Sequence, residues 1–134
     1  MLIKIAVRLF WLLHFLALIG VATYVATIAF DLQFEGSAQL HSLAWHDHLV
    51  SSIFPIFCFI GAHQLIRKKD NAYFYYLIGL GVYSIHSLGK YIWHLFYGFS
   101  DISYLFDVSK NILWLFAALI FIYFVSKQQI RKSA

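Results

Sequence analysis

Seven histidines stand in a chain of 134 residues that is 62% hydrophobic and only 12% charged: His14, His41, His46, His48, His63, His86 and His94. Imidazole is the commonest metal ligand among side chains, and an ionisable group inside an apolar layer is costly enough to mark a functional site. Counted along helices at ~1.5 Å per residue, His14 and His63 fall at one depth, and His48 and His94 at another near the opposite edge. His86 lies about 12 Å below His94 on the same helix. An imidazole pair near each leaflet is what a di-haem b-type cytochrome requires, because haem iron takes its axial ligands from opposite faces. The candidate ligands are His14 with His63 for one haem b, and His48 with His94, or with His86, for a second. His48 and His63 project about 60° apart around one helix, and Pro55 between them can bend it. Ala17, Gly20, Gly61, Ala62, Gly79, Gly81, Ser84, Ser87 and Gly89 are small enough to admit a flat macrocycle.

Lys90 stands four residues from both His86 and His94, so the three form one drifting stripe. A buried ammonium needs a partner. A haem propionate would serve, and without haem so would Asp107 or Glu35. A separate grouping of His41, His46, Asp47 and His48, with Glu35 near by, offers imidazole and carboxylate for Cu²⁺ or Zn²⁺. Against all these stands a plainer reading, in which intramembrane histidines hydrogen-bond neighbouring helices and hold the bundle together. Cys58, between Phe57 and Phe59, reads as a small buried hydrophobe. The sequence shows no nucleophile–base constellation, phosphate loop or di-iron histidine box.

The elements that must position these residues are four apolar stretches, at about 9–30, 49–66, 72–99 and 108–126. A helix needs ~20 mainly apolar residues to cross a bilayer core. The last stretch, continuously apolar only from about 111 to 126, is short unless 102–108 joins it, with Lys110 near the headgroups. Each stretch is apolar all round, as lipid-facing helices are, and none alternates as a barrel strand would. The expectation is an all-α integral membrane four-helix bundle forming one domain over 1–134. A soluble domain would need roughly twice the charge. The lone cysteine excludes a disulfide scaffold. Lys4, Arg8, Arg67, Lys68, Lys69, Lys127, Arg131 and Lys132 all fall on one side, whereas Asp31, Glu35, Asp47, Asp101 and Asp107 fall on the other. By the positive-inside rule both termini are cytoplasmic, as in a bacterial inner-membrane protein. The formal charge of +4 is thereby explained as an orientation signal, with no nucleic-acid partner implied. The run Leu9–Ala22 is longer than a signal peptide's apolar core, and an uncleaved first helix is expected.

The stretch Arg8-Leu9-Phe10-Trp11-Leu12-Leu13-His14-Phe15 resembles the first helix of prokaryotic cytochrome b561-like proteins. Trp45-His46-Asp47-His48-Leu49, ending in Ala62-His63-Gln64-Leu65, resembles the second helix of small di-haem membrane cytochromes. The resemblance covers the first half of the chain; Ile112–Val125 carries no histidine where those families place one. It implies haem b held by His14 and by His63 or His48. The function then expected is electron transfer to or from a quinone or a partner redox subunit. Two alternatives follow from the same residues: a haem-free accessory subunit of a larger membrane complex or homo-oligomer, or a small transporter using His86, Lys90 and His94.

Overall fold

The computed structural model describes residues 1–31, 45–98 and 102–133. They form four helices: α1 (Leu2–Ala29), α2 (Trp45–Ile66), α3 (Ala72–Phe96) and α4 (Ile102–Ser133). No strand occurs among the described residues, so the all-helical expectation holds. Several boundaries move. α1 begins before residue 9 and takes in Lys4 and Arg8, and α2 begins at Trp45. α3 stops at Phe96, where Gly98 takes a left-handed φ of 78° and donates its N–H to the Leu95 carbonyl. Residues 102–108 do join the last helix, giving 32 continuous residues with Lys110 inside them.

The helices run alternately up and down. Val7 of α1, Leu65 at the end of α2, Ala72 and Tyr76 at the start of α3, and Ile122 and Val125 late in α4 share one buried cluster. That cluster sits at the end of the bundle where Lys4, Arg8, Arg67, Lys68, Lys69 and Lys127 gather. The turn at this end is tight because Lys68 adopts a left-handed φ of 59°, which closes Lys69 N–H onto the Gln64 carbonyl at 3.0 Å. α2 packs along α3 and α1 and touches α4, while α3 packs along both α2 and α4.

Most of the apolar surface faces outward. On α1 alone Leu9, Leu12, Leu13, Leu16 and Ile19 are exposed, and only Val7 and Thr27 are buried. A helix that exposes this much apolar surface has lipid for its solvent. α1, α2 and the Ile102–Gln129 part of α4 are each long and apolar enough to cross a membrane. At 25 residues α3 is also long enough, but Tyr, Ser, His and Lys dilute its apolar content. Of its polar residues, Ser87 is buried and His86 and Lys90 are half-buried against α2, which is where polar groups in a membrane bundle belong.

α2 and α3 approach closely on either side of Pro55. A Cβ added at Gly79 would stand 2.8 Å from Cys58 Sγ and 3.0 Å from the Phe54 carbonyl oxygen. One added at Gly61 would stand 3.0 Å from the Ala72 carbonyl oxygen. These two glycines therefore serve helix-to-helix contact, and the gap expected there for a macrocycle is closed. Gly20, Gly81 and Gly89 face open space.

Candidate functional site

Consecutive helical residues point about 100° apart, so the first turn of α2 sends His46, Asp47 and His48 in three directions. Asp47 turns onto α3, where His86 and Lys90, four residues apart, share a face. Its Oδ1 accepts from His86 Nε2 at 3.0 Å and from Lys90 Nζ at 3.0 Å. His46 Nδ1 lies 3.7 Å from the same oxygen, and its ring meets that of His86 at a centroid distance of 5.2 Å. The Asp47 side chain is only 12% exposed, against 27% for Lys90 and 21% for His86. One shielded carboxylate thus holds an ammonium and two imidazoles together across the α2–α3 interface. Lys90 finds its partner in Asp47, and not in the Asp107 or Glu35 expected in the absence of haem.

The cluster forms one wall of an open cleft of about 510 Å³ whose other walls include Gly89, Trp93 and His94. Behind Asp47 a smaller cavity of about 200 Å³ reaches Ser51, Tyr83, Ser87 and Tyr104. The Tyr104 hydroxyl donates to the Ser87 carbonyl at 3.3 Å, and Asn111 Nδ2 donates to the Tyr83 hydroxyl at 2.9 Å. The polar groups therefore concentrate in the half of the bundle away from the basic end.

The remaining histidines do not meet in the expected pairs. His48 is hydrogen-bonded to Tyr24 of α1, away from the cleft that holds His86 and His94. His94 lines the cleft, with its ring 6.4 Å from that of Tyr104. At the other end, His63 is exposed and its Nδ1 accepts from Trp11 Nε1 at 3.4 Å. His14 turns inward to Tyr76, with Nε2 2.9 Å from the hydroxyl and Nδ1 2.8 Å from the Phe10 carbonyl oxygen. Trp11 is level with His63, and Phe15 packs on Phe59. His14 therefore sits one turn, about 4.5 Å, past the depth of His63 and on a different side of the α1–α2 seam. Of the residues grouped for Cu²⁺ or Zn²⁺, Glu35 and His41 lie outside the described residues. His46 and Asp47 remain, joined by His86 in place of His48.

That replacement changes what the site can do. The nearest nitrogens of His46 and His86 and an oxygen of Asp47 all lie within 4.8 Å of one another. A tetrahedral ion with bonds of ~2.0–2.1 Å holds its donors about 3.3 Å apart. The separations of His86 Nε2 and His46 Nδ1 from Asp47 Oδ1, 3.0 and 3.7 Å, bracket that spacing. The same imidazoles, with ring centroids 5.2 Å apart, are too close to sandwich a porphyrin. Comparison of this chain with known protein families, curated proteins and solved structures returned no match.

Proposed function

We propose that this chain is an integral membrane protein that binds a divalent transition-metal ion of the zinc or copper class at His46, Asp47 and His86. The observation that carries this is the convergence of two imidazoles and one carboxylate, from two helices, with donor atoms within 4.8 Å of one another. Imidazole and carboxylate suit both metals. Three protein ligands leave a position open to the cleft, the arrangement of exchanging and catalytic sites and not of closed structural ones. Lys90 shapes the exchange. It occupies Asp47 Oδ1 in the ion's absence, so metal entry replaces one cation by another on a carboxylate that never stands alone. By the bias of its basic residues the protein places the site at the non-cytoplasmic face of the membrane.

The test is binding of Zn²⁺, and of Co²⁺ read by its visible ligand-field bands, to protein purified in detergent. One ion per chain is expected, lost in Asp47→Asn and His86→Ala and retained in His48→Ala, whose side chain faces α1. Absence of stoichiometric binding, or binding indifferent to His86→Ala, would overturn the reading.

A second reading, electron transfer through haem b in exchange with a quinone, is supported by His14. The Phe10 carbonyl fixes its proton on Nδ1 and leaves Nε2 facing the bundle interior, the posture of an axial ligand. Tyr76, 2% exposed, fills the space that Nε2 faces, so a haem there requires Tyr76 to move aside. Protein purified from haem-replete cells then shows the α-band of reduced haem b, lost in His14→Ala; a colourless preparation ends this reading.

A further inference from the structure

The α3–α4 side of the bundle carries a groove that the metal site does not use. Leu77 on α3 and Leu119, Ile120 and Phe124 on α4 form its apolar walls, with Tyr73 and Tyr123 towards the basic end and a volume of about 200 Å³. Through Tyr123 and Phe124 it continues into a wider cavity of about 450 Å³ bounded by Lys127 and Gln128. Tyr73 and Tyr123 meet edge to face at 5.7 Å, and Lys127 Nζ stands 5.4 Å from the Tyr123 ring centroid. The lining therefore changes along the helix axis from aliphatic, to aromatic with hydroxyls, to cationic.

That order matches one kind of molecule. A phospholipid presents an acyl chain, then an ester and glycerol region, then a phosphate, over the same span of depth. Tyrosine is enriched where a membrane protein crosses from hydrocarbon to headgroup. Among the described residues no carboxylate pairs with Lys127, and its ammonium rests only on the Tyr123 ring. The turn that leads into α3 adds Arg67, Lys68 and Lys69 at the same end of the bundle. A second copy of this chain would bring the same basic charges to the contact and repel itself there. We infer that the α3–α4 groove is a binding site for an anionic phospholipid, its acyl chain against Leu77 and Ile120 and its phosphate at Lys127. Basic pockets between transmembrane helices on the cytoplasmic side recognise anionic headgroups in this way.

The experiment is native mass spectrometry of the detergent-purified protein equilibrated with equal amounts of phosphatidylglycerol and phosphatidylcholine. One phosphatidylglycerol per chain is expected to survive gentle activation in preference to phosphatidylcholine. A surface charge contributes about 1 kcal/mol to such binding, so the reversal Lys127→Glu should weaken retention by roughly tenfold or more. Lys127→Gln should weaken it several-fold, and Leu77→Trp, which fills the apolar part, should reduce retention of both lipids. Lys110→Glu, towards the other end of α4, should change nothing. Equal retention of the two lipids by the unaltered protein would overturn the inference, as would undiminished phosphatidylglycerol in folded Lys127→Glu. Zn²⁺ binding is unaffected by any of these changes, so the groove and the metal site stand or fall separately.

Discussion

The Tyr76 hydroxyl donates a hydrogen bond to His14 Nε2 at 2.9 Å, tying α3 to α1 across the buried cluster. The direction of that bond is set elsewhere, because the Phe10 carbonyl can only accept and so keeps the neutral imidazole's proton on Nδ1. A buried acceptor stripped of its donor costs about 1–3 kcal/mol. Tyr76→Phe should therefore lower stability by that amount, measured by thermal unfolding in detergent micelles. Tyr97→Phe, at an exposed ring, should stay within about 0.5 kcal/mol of the parent.

The close approach of α2 and α3 gives a prediction of opposite character, in which adding one methyl group destabilises. Gly79→Ala drives a Cβ against Cys58 Sγ and the Phe54 carbonyl, and overpacking of this kind costs about 1–3 kcal/mol. Gly81→Ala, two residues away and facing open space, should be neutral or mildly stabilising. Combining Gly79→Ala with Cys58→Ala should recover part of the loss, since it removes the nearer of the two obstructions. Unfolding midpoints of the three variants and the parent in one detergent would show the pattern.

Asp47 and Lys90 couple stability to metal binding. Breaking a shielded ion pair from one side leaves the other charge uncompensated, at a cost of about 3 kcal/mol. Asp47→Asn alone should therefore lower stability, and Asp47→Asn with Lys90→Met should restore most of it. Lys90→Met alone removes the cation that competes for Oδ1, so its affinity for Zn²⁺ should rise, by about tenfold if the competition is worth ~1.4 kcal/mol. Titration calorimetry on the same preparations separates the two effects. Weaker Zn²⁺ binding in Lys90→Met would show that the ammonium assists the ion and does not oppose it.

Orientation is open to a labelling experiment. In a Cys58→Ala background, a cysteine at position 68 should be shielded from a membrane-impermeant maleimide in intact cells, and one at position 97 should react. The reverse pattern would invert the assignment drawn from Lys and Arg placement.

The helices were legible in the sequence because apolar runs of this length have few other uses, and the alternating charge of the connections already implied the up-and-down order. The need of Lys90 for a partner was legible too. Its identity was not, because Asp47 lies 43 residues away and only the α2–α3 register brings them together. Depth counting paired His14 with His63 and His48 with His94 but carried no information on angle. Tyr24 draws His48 towards α1, Tyr76 draws His14 inward, and His63 is left on the outer seam. The small residues misled for a related reason. Gly61 and Gly79 do admit a close neighbour, but composition cannot say that the neighbour is another helix. His46 and His86 as co-ligands had one usable signal. Asp47 stands beside His46, and any helix meeting that carboxylate with an i, i+4 His–Lys pair also brings an imidazole within reach.

The helices differ in length, and the bilayer around them must answer to the difference. α1 and the Ile102–Gln129 part of α4, at 28 residues each, span ~42 Å with Lys4, Arg8, Asp107, Lys110 and Lys127 inside that length, whereas α2 spans ~33 Å with its 22. Against a hydrocarbon core of ~30 Å the charged turns of the two longer helices reach into the headgroup layers, while α2 has little length to spare. Because Asp47 stands in the first turn of that helix, the cluster it holds lies at the end of α2 and opens onto the cleft, although His86 is nearly three turns from the end of α3.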